Sequence, residues 1–120
     1  MSLKSRFLKM RDDYVIHQVQ RLQIPEFAEE EVSRYQVTFS GRVRKVGFRL
    51  EVYELADRLN LTGSCINLEN GDVQAELQGP REKIKFLVYF MESLKRIKVT
   101  NRTVKRLPVI PEETEFIRER

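Results

Sequence analysis

A two-layer α+β sandwich, with strands and helices in the order βαββαβ, is the fold this chain predicts. Three observations lead to it. Apolar residues alternate with polar ones at Tyr35, Val37, Phe39 and again at Val73, Ala75, Leu77, which is the period of a half-buried strand. Between and after them, Phe48, Val52, Leu55, Ala56, Leu59 and Ile84, Leu87, Val88, Met91, Leu94 recur at helical spacing. Asn70-Gly71, set between two strand-like runs, is a strong hairpin signal.

Residues 4–24 read as an amphipathic helix, with Phe7, Met10, Tyr14, Val15, Val19 and Leu22 on its apolar side and Pro25 as its stop. Glu29-Glu30-Glu31 reads as a solvated turn or a short helix. A strand is expected over 35–40, a glycine-bounded turn over 41–47, and a helix running to Asn60. Residues 61–68 form the next strand, and the chain returns after the hairpin through Val73 to Leu77. Gly79-Pro80 stops that strand, with Pro80 suited to open a second helix. A long strand over 98–107 follows. Pro108 and Pro111 then break the chain, and residues 115–118 read as a short edge strand. This is the split βαβ, ferredoxin-like arrangement: an antiparallel sheet with two helices on one face. Residues 1–34 are expected to form a helical extension and residues 35–120 the main domain. The extension's apolar stripe is expected on the open sheet face, or against a second copy of the chain as a homodimer.

The chain has 120 residues, 41% of them hydrophobic, which suits one ordinary core. No apolar run is long enough to span a bilayer, and no apolar stretch follows the basic N-terminal residues, so neither a membrane segment nor a signal peptide is expected. Lone Cys65 excludes an internal disulfide and fits a cytoplasmic protein. With His17 as the single histidine, a His/Cys metal site is not expected. The net charge is +4, and it lies beyond residue 34, because the first 34 residues carry six basic and six acidic side chains. That excess suits an anionic small molecule better than a dedicated nucleic-acid module. Lys95, Arg96, Lys98, Arg102, Lys105 and Arg106 read as a solvated basic face, since the strands lack the paired aromatics on which RNA bases stack.

The segment Gly41-Arg42-Val43-Arg44-Lys45-Val46-Gly47-Phe48-Arg49 links a strand to a helix start. The first turn of a helix has N–H groups without internal partners and a partial positive charge, so such a turn binds anions. Arg49 adds a planar fork of donors suited to phosphate or carboxylate. A bound anion also explains a cation at a helix end that repels it.

These nine residues resemble the acylphosphatase signature, Gly-x-Val-Gln-Gly-Val-x-Phe-Arg. Downstream, Gly63 to Val73 is similar to the second motif of that family, Gly-Trp-Val-x-Asn-x-x-Asp-Gly-x-Val. Gly79-Pro80 and Phe116-Ile117-Arg118 also resemble family features, so the likeness covers about residues 35–118. It implies hydrolysis of a carboxylic–phosphoric anhydride without metal or cofactor. Arg49 would grip the phosphate, Asn67 would orient the attacking water, and the backbone N–H groups of Arg44, Lys45, Val46, Gly47 and Phe48 would cradle the phosphoryl oxygens. The small-molecule partner is then an acyl phosphate or a phosphate anion.

The sequence departs from the motif at Lys45, where the family has glycine, and at Arg44, where it has glutamine. Lysine reaches a positive φ only at about 1–2 kcal/mol. The alternative expectation is therefore a catalytically impaired, anion-binding module. Ser64 and Ile66 alter the surroundings of Asn67. By itself Arg44 reads as a solvated loop residue, His17 as a solvated side chain and Cys65 as a core thiol.

Overall fold

The computed structural model describes residues 2–118. Its elements are α1 (Leu3–Arg21), β1 (Val32–Arg42), α2 (Phe48–Arg58), β2 (Thr62–Asn67), β3 (Val73–Pro80), α3 (Arg81–Ser93), β4 (Lys98–Leu107) and β5 (Phe116–Arg118). The sheet order is β4-β1-β3-β2-β5. All neighbours run antiparallel except β2 and the short β5, which are parallel. Helices α2 and α3 cover one face, as the sequence predicts.

The alternation along β1 and β3 explains the layering. Val37, Phe39, Val73, Ala75 and Leu77 point to the helices and are buried with Leu55, Leu87 and Met91. Phe39 meets Phe48 at 4.9 Å between ring centroids, pinning the first turn of α2 to the end of β1. The Asn70-Gly71 hairpin forms as expected. Leu68 N–H donates to Asp72 at 2.8 Å, and Asn70 Oδ1 accepts from Asp72 N–H at 3.0 Å.

The extension differs from expectation. Helix α1 ends at Arg21, not at 24, because Leu22 turns extended and Ile24 precedes Pro25, a position that disfavours helix. Arg58 of α2 replaces the missing turn by donating to the carbonyl oxygens of Val19, at 2.7 Å, and Leu22. Beyond it the chain runs extended across the helix layer. Phe27 packs edge-on against Phe86 at 5.8 Å, and Glu30, expected in a turn or short helix, accepts from the Glu82 N–H in the first turn of α3 at 2.7 Å.

Nor does α1 cover the open sheet face. It packs against α2 through Val15 and Val19, both fully buried. Phe7 and Met10, expected on the packed stripe, are 62% and 65% exposed, and Tyr14 is exposed too. The outer sheet face does not need an apolar cover. It presents Arg34, Gln36, Thr38, Gln74, Glu76 and Gln78 from facing positions of β1 and β3. Its cover is the segment between β4 and β5. There Gln78 exchanges two hydrogen bonds with the Ile110 backbone, and buried Arg34 pairs with Glu113 at 2.8 Å and Glu76 at 3.0 Å.

This packing predicts which face of α1 carries stability. Val19→Ala should lower the unfolding free energy by about 2 kcal/mol, from lost methyl burial and the cavity left behind. Phe7→Ser should change it by less than about 0.5 kcal/mol. Urea denaturation of both variants distinguishes the two faces.

Candidate active site

The turn that joins β1 to α2 is shaped by backbone requirements. At Gly41 φ is 120°, and a Cβ there would lie 2.2 Å from the Lys98 carbonyl oxygen, across the irregular step in the β1–β4 pairing. Val43 N–H then closes a tight turn onto Gly41 at 3.0 Å, and its side chain is buried. Lys45 adopts φ 61°, so this lysine takes the left-handed conformation that a glycine would supply freely. Gly47, at φ 79°, caps α2 without a side-chain hydrogen bond. Among the described residues, the N–H groups of Arg44, Lys45, Val46 and Gly47 make no hydrogen bond within the chain. The loop thus offers unpaired donors at the positive end of a helix.

That end opens into a cavity of about 310 Å³, within the range of small-molecule sites. Arg44, Lys45, Gly47, Phe48, Arg49 and Asn67 line it, so six of the seven residues expected from the sequence meet there. Val46 is the exception. Its side chain packs against the core and its carbonyl oxygen accepts from Arg96 Nε at 2.9 Å. Arg49 is half-buried in the first turn of α2 and is close enough to β2 to act on the Cys65 thiol. Asn67 closes β2 two residues further on, on the same face as Cys65. Arg44 is not a free loop arginine. Its Nη1 donates to the Leu68 carbonyl at 3.3 Å, joining the loop to the β2–β3 turn.

The sequence profile of the acylphosphatase family matches residues 35–117. The chain belongs to the acylphosphatase family. It is 37% identical over 87 residues to an acylphosphatase of Clostridium beijerinckii, covering 69% of this chain and 93% of the relative. Among solved structures, an acylphosphatase from Coxiella burnetii superposes with a TM-score of 0.67 at 30% identity, covering 73% of this chain and 93% of that one. The Bacillus subtilis acylphosphatase gives 0.65 at 28%, covering 70% and 94%.

Some residues at this acylphosphatase-family site escaped the sequence reading. Arg11 and Asp12 of α1 line the cavity although they lie outside the family match, and Arg118 reaches it from β5. Arg96 is the largest correction. Rather than standing on a solvated basic face, it joins three elements. It donates to Val46 O in the 44–48 loop, to Gln18 Oε1 of α1 at 3.2 Å and to Glu51 of α2, and its guanidinium lies 5.8 Å from the Tyr14 ring centre. The other cations of that cluster are also divided. Arg102 pairs with Glu92 at 2.6 Å on the helix side of β4, whereas Lys105 pairs in register with Gln36 on the outer face.

Glu51 did leave a signal in the sequence. It stands three residues after Phe48 and four before Leu55, on the apolar face of α2, where a carboxylate requires a buried partner. It is fully buried, and its Oε2 has no hydrogen bond among the described residues. Burial pushes its carboxyl above the usual range, opposed by the hydrogen bond and charge of Arg96.

Removing Arg96 should leave a buried carboxylate uncompensated. Arg96→Ala is expected to cost roughly 3 kcal/mol at neutral pH. A raised folded-state value means that Glu51 favours folding only while protonated, so its contribution declines as pH rises above 4.5. The deficit of Arg96→Ala should therefore be smaller at pH 4.5 than at pH 7, and adding Glu51→Gln should abolish that difference. Denaturation of the variants at both pH values tests this.

Cys65 gives a second test. Burial pushes its thiol up to about 12, with Arg49 opposing weakly. At pH 8 the folded protein should resist a thiol reagent, and unfolding should release one reactive equivalent.

Proposed function

We propose that this chain hydrolyses small acyl phosphates to a carboxylate and inorganic phosphate. The observation that carries the reading is the meeting of Arg49 and Asn67 at one cavity with Arg44, Lys45 and Gly47, whose backbone N–H groups make no hydrogen bond among the described residues. In this reading the loop amides and the Arg49 guanidinium hold the phosphoryl oxygens, whose charge they stabilise without reorganising. Asn67 holds a water in line with the acyl oxygen, since a carboxamide both donates and accepts.

The step needs no covalent nucleophile. The water oxygen forms a bond to phosphorus as the P–O bond to the acyl group breaks, and the electron pair leaves with the carboxylate. The water proton passes to a phosphoryl oxygen. A stable leaving group makes this sequence feasible without histidine, cysteine or a carboxylate pair.

Lys45 decides between turnover and an impaired anion-binding module. Its φ of 61° supports turnover, because the side chain has not displaced the loop from the left-handed conformation that the motif's glycine would supply. The strain of about 1–2 kcal/mol is borne by the fold, and the ammonium adds charge at the cavity.

Benzoyl phosphate hydrolysis provides the test. Arg49→Ala and Asn67→Ala should each lose about 10²–10³ in rate. Lys45→Gly should stay within about tenfold of the unmodified chain, the equivalent of the strain relieved. A gain far beyond that would replace this reading with the impaired module. An undiminished rate in either alanine variant would remove that residue from its role.

A further inference from the structure

The N-terminal helix lies outside the family match, yet it places Arg11 at the mouth of the cavity. Arg11, Val15 and Val19 follow one another at four-residue spacing on one face of α1, and burial of the two valines fixes where the arginine stands. A Cβ on Gly47 would lie 3.3 Å from Arg11 Nε and 3.5 Å from its Cδ, so the side chain lies along the glycine that opens α2. Gly47 is required for its positive φ, and its lack of a Cβ leaves Arg11 and Val15 uncrowded.

Among the described residues, the Arg11 side chain is hydrogen-bonded by its neighbour alone. Nε and Nη2 both donate to Asp12 Oδ1, at 3.1 and 2.9 Å, and Arg11 makes no other hydrogen bond among the described residues. The two side chains are 29% and 40% exposed, and an ion pair so open to water is worth little. An incoming carboxylate can therefore exchange with Asp12 at small cost. The charge balance favours that exchange. Among the described residues, the cavity is lined, besides Arg49, by Arg11, Arg44, Lys45 and Arg118, against Asp12 as the one carboxylate. A phosphoryl dianion does not balance that set.

We infer that Arg11 is a specificity-determining residue that binds a second anionic group on the acyl portion of the substrate. The preferred substrates are then acyl phosphates of dicarboxylic acids, whose free carboxylate meets the Arg11 fork while the phosphoryl group occupies the 44–48 loop. This inference rests on the hydrolytic reading above. Its chemical step is unchanged, and only the acyl group is specified.

The test compares kcat/KM for 3- and 4-carboxybenzoyl phosphate with that for benzoyl phosphate. The unmodified chain should prefer at least one carboxylated substrate. Arg11→Gln should lower the preference ratio by about tenfold or more, chiefly through KM, as expected for loss of a charge-assisted hydrogen bond. Arg11→Lys should restore part of it. Any general loss in rate cancels in the ratio, so a ratio unaffected by Arg11→Gln overturns the inference.

Equilibrium binding of 3-phosphonopropanoate against ethylphosphonate separates this result from the hydrolytic reading. A preference for the carboxylated phosphonate that Arg11→Gln removes upholds the second-anion site even if no acyl phosphate is turned over. Hydrolysis of benzoyl phosphate with no such preference leaves the hydrolytic reading standing and overturns this one. Failure to bind either phosphonate overturns it as well.

Discussion

Arg96 holds the molecule's functional end together. Its guanidinium ties the Val46 carbonyl, the buried Glu51 carboxylate and Gln18 of the N-terminal helix to one point. Each group alone would be unfavourable: a loop carbonyl facing inward, an ion without water, a helix with few contacts. Together they offset one another except at Glu51 Oε2, which keeps no hydrogen bond among the described residues, and the planar fork of an arginine suits three directions at once. Because Val46 O is bound from the inner side, the loop is anchored through a carbonyl while neighbouring N–H groups stay undonated. The donors of the loop and the stability of the helix layer thus share one support.

That support bears on Lys45. A lysine at φ 61° stores strain that an isolated loop would relieve by rotating a peptide. Here the loop is held on both sides. Phe48 packs at a tilt against Phe39, and Val43 is buried beneath the turn. The strained residue lies between two fixed points, so the surrounding packing, not the residue's own preference, sets its conformation. The N-terminal helix contributes by closing over Gly47 with Val15 and Arg11. An extension outside the shared family domain thereby becomes part of the wall of the cavity.

The layered fold was legible because its signals are local. Alternation at Tyr35, Val37 and Phe39, helical spacing at Phe48 to Leu59, and the Asn70-Gly71 turn each depend on nearest neighbours along the chain. The motif residues Arg49 and Asn67 were legible for another reason: their spacing resembles a known pattern. The face of α1 was not. Phe7, Met10 and Tyr14 form as regular a stripe as Val15 and Val19, and periodicity cannot say which stripe finds a partner. The polar outer face of the sheet, spread over β1 and β3, removed the expected docking surface.

By itself, then, the sequence determined the strands, the main helices, the turn chemistry and the candidate pair Arg49 and Asn67. Only the tertiary structure decided that Arg96 is a half-buried anchor, that buried Arg34 pairs with Glu113 on the outer face, and that Arg11 and Arg118 reach the cavity. The physical reason is range. Backbone preferences and side-chain period act over a few residues, whereas the partner of a charged group is chosen by which distant segments the core brings within hydrogen-bond reach. An arginine reads alike in sequence whether water or a buried carboxylate awaits it.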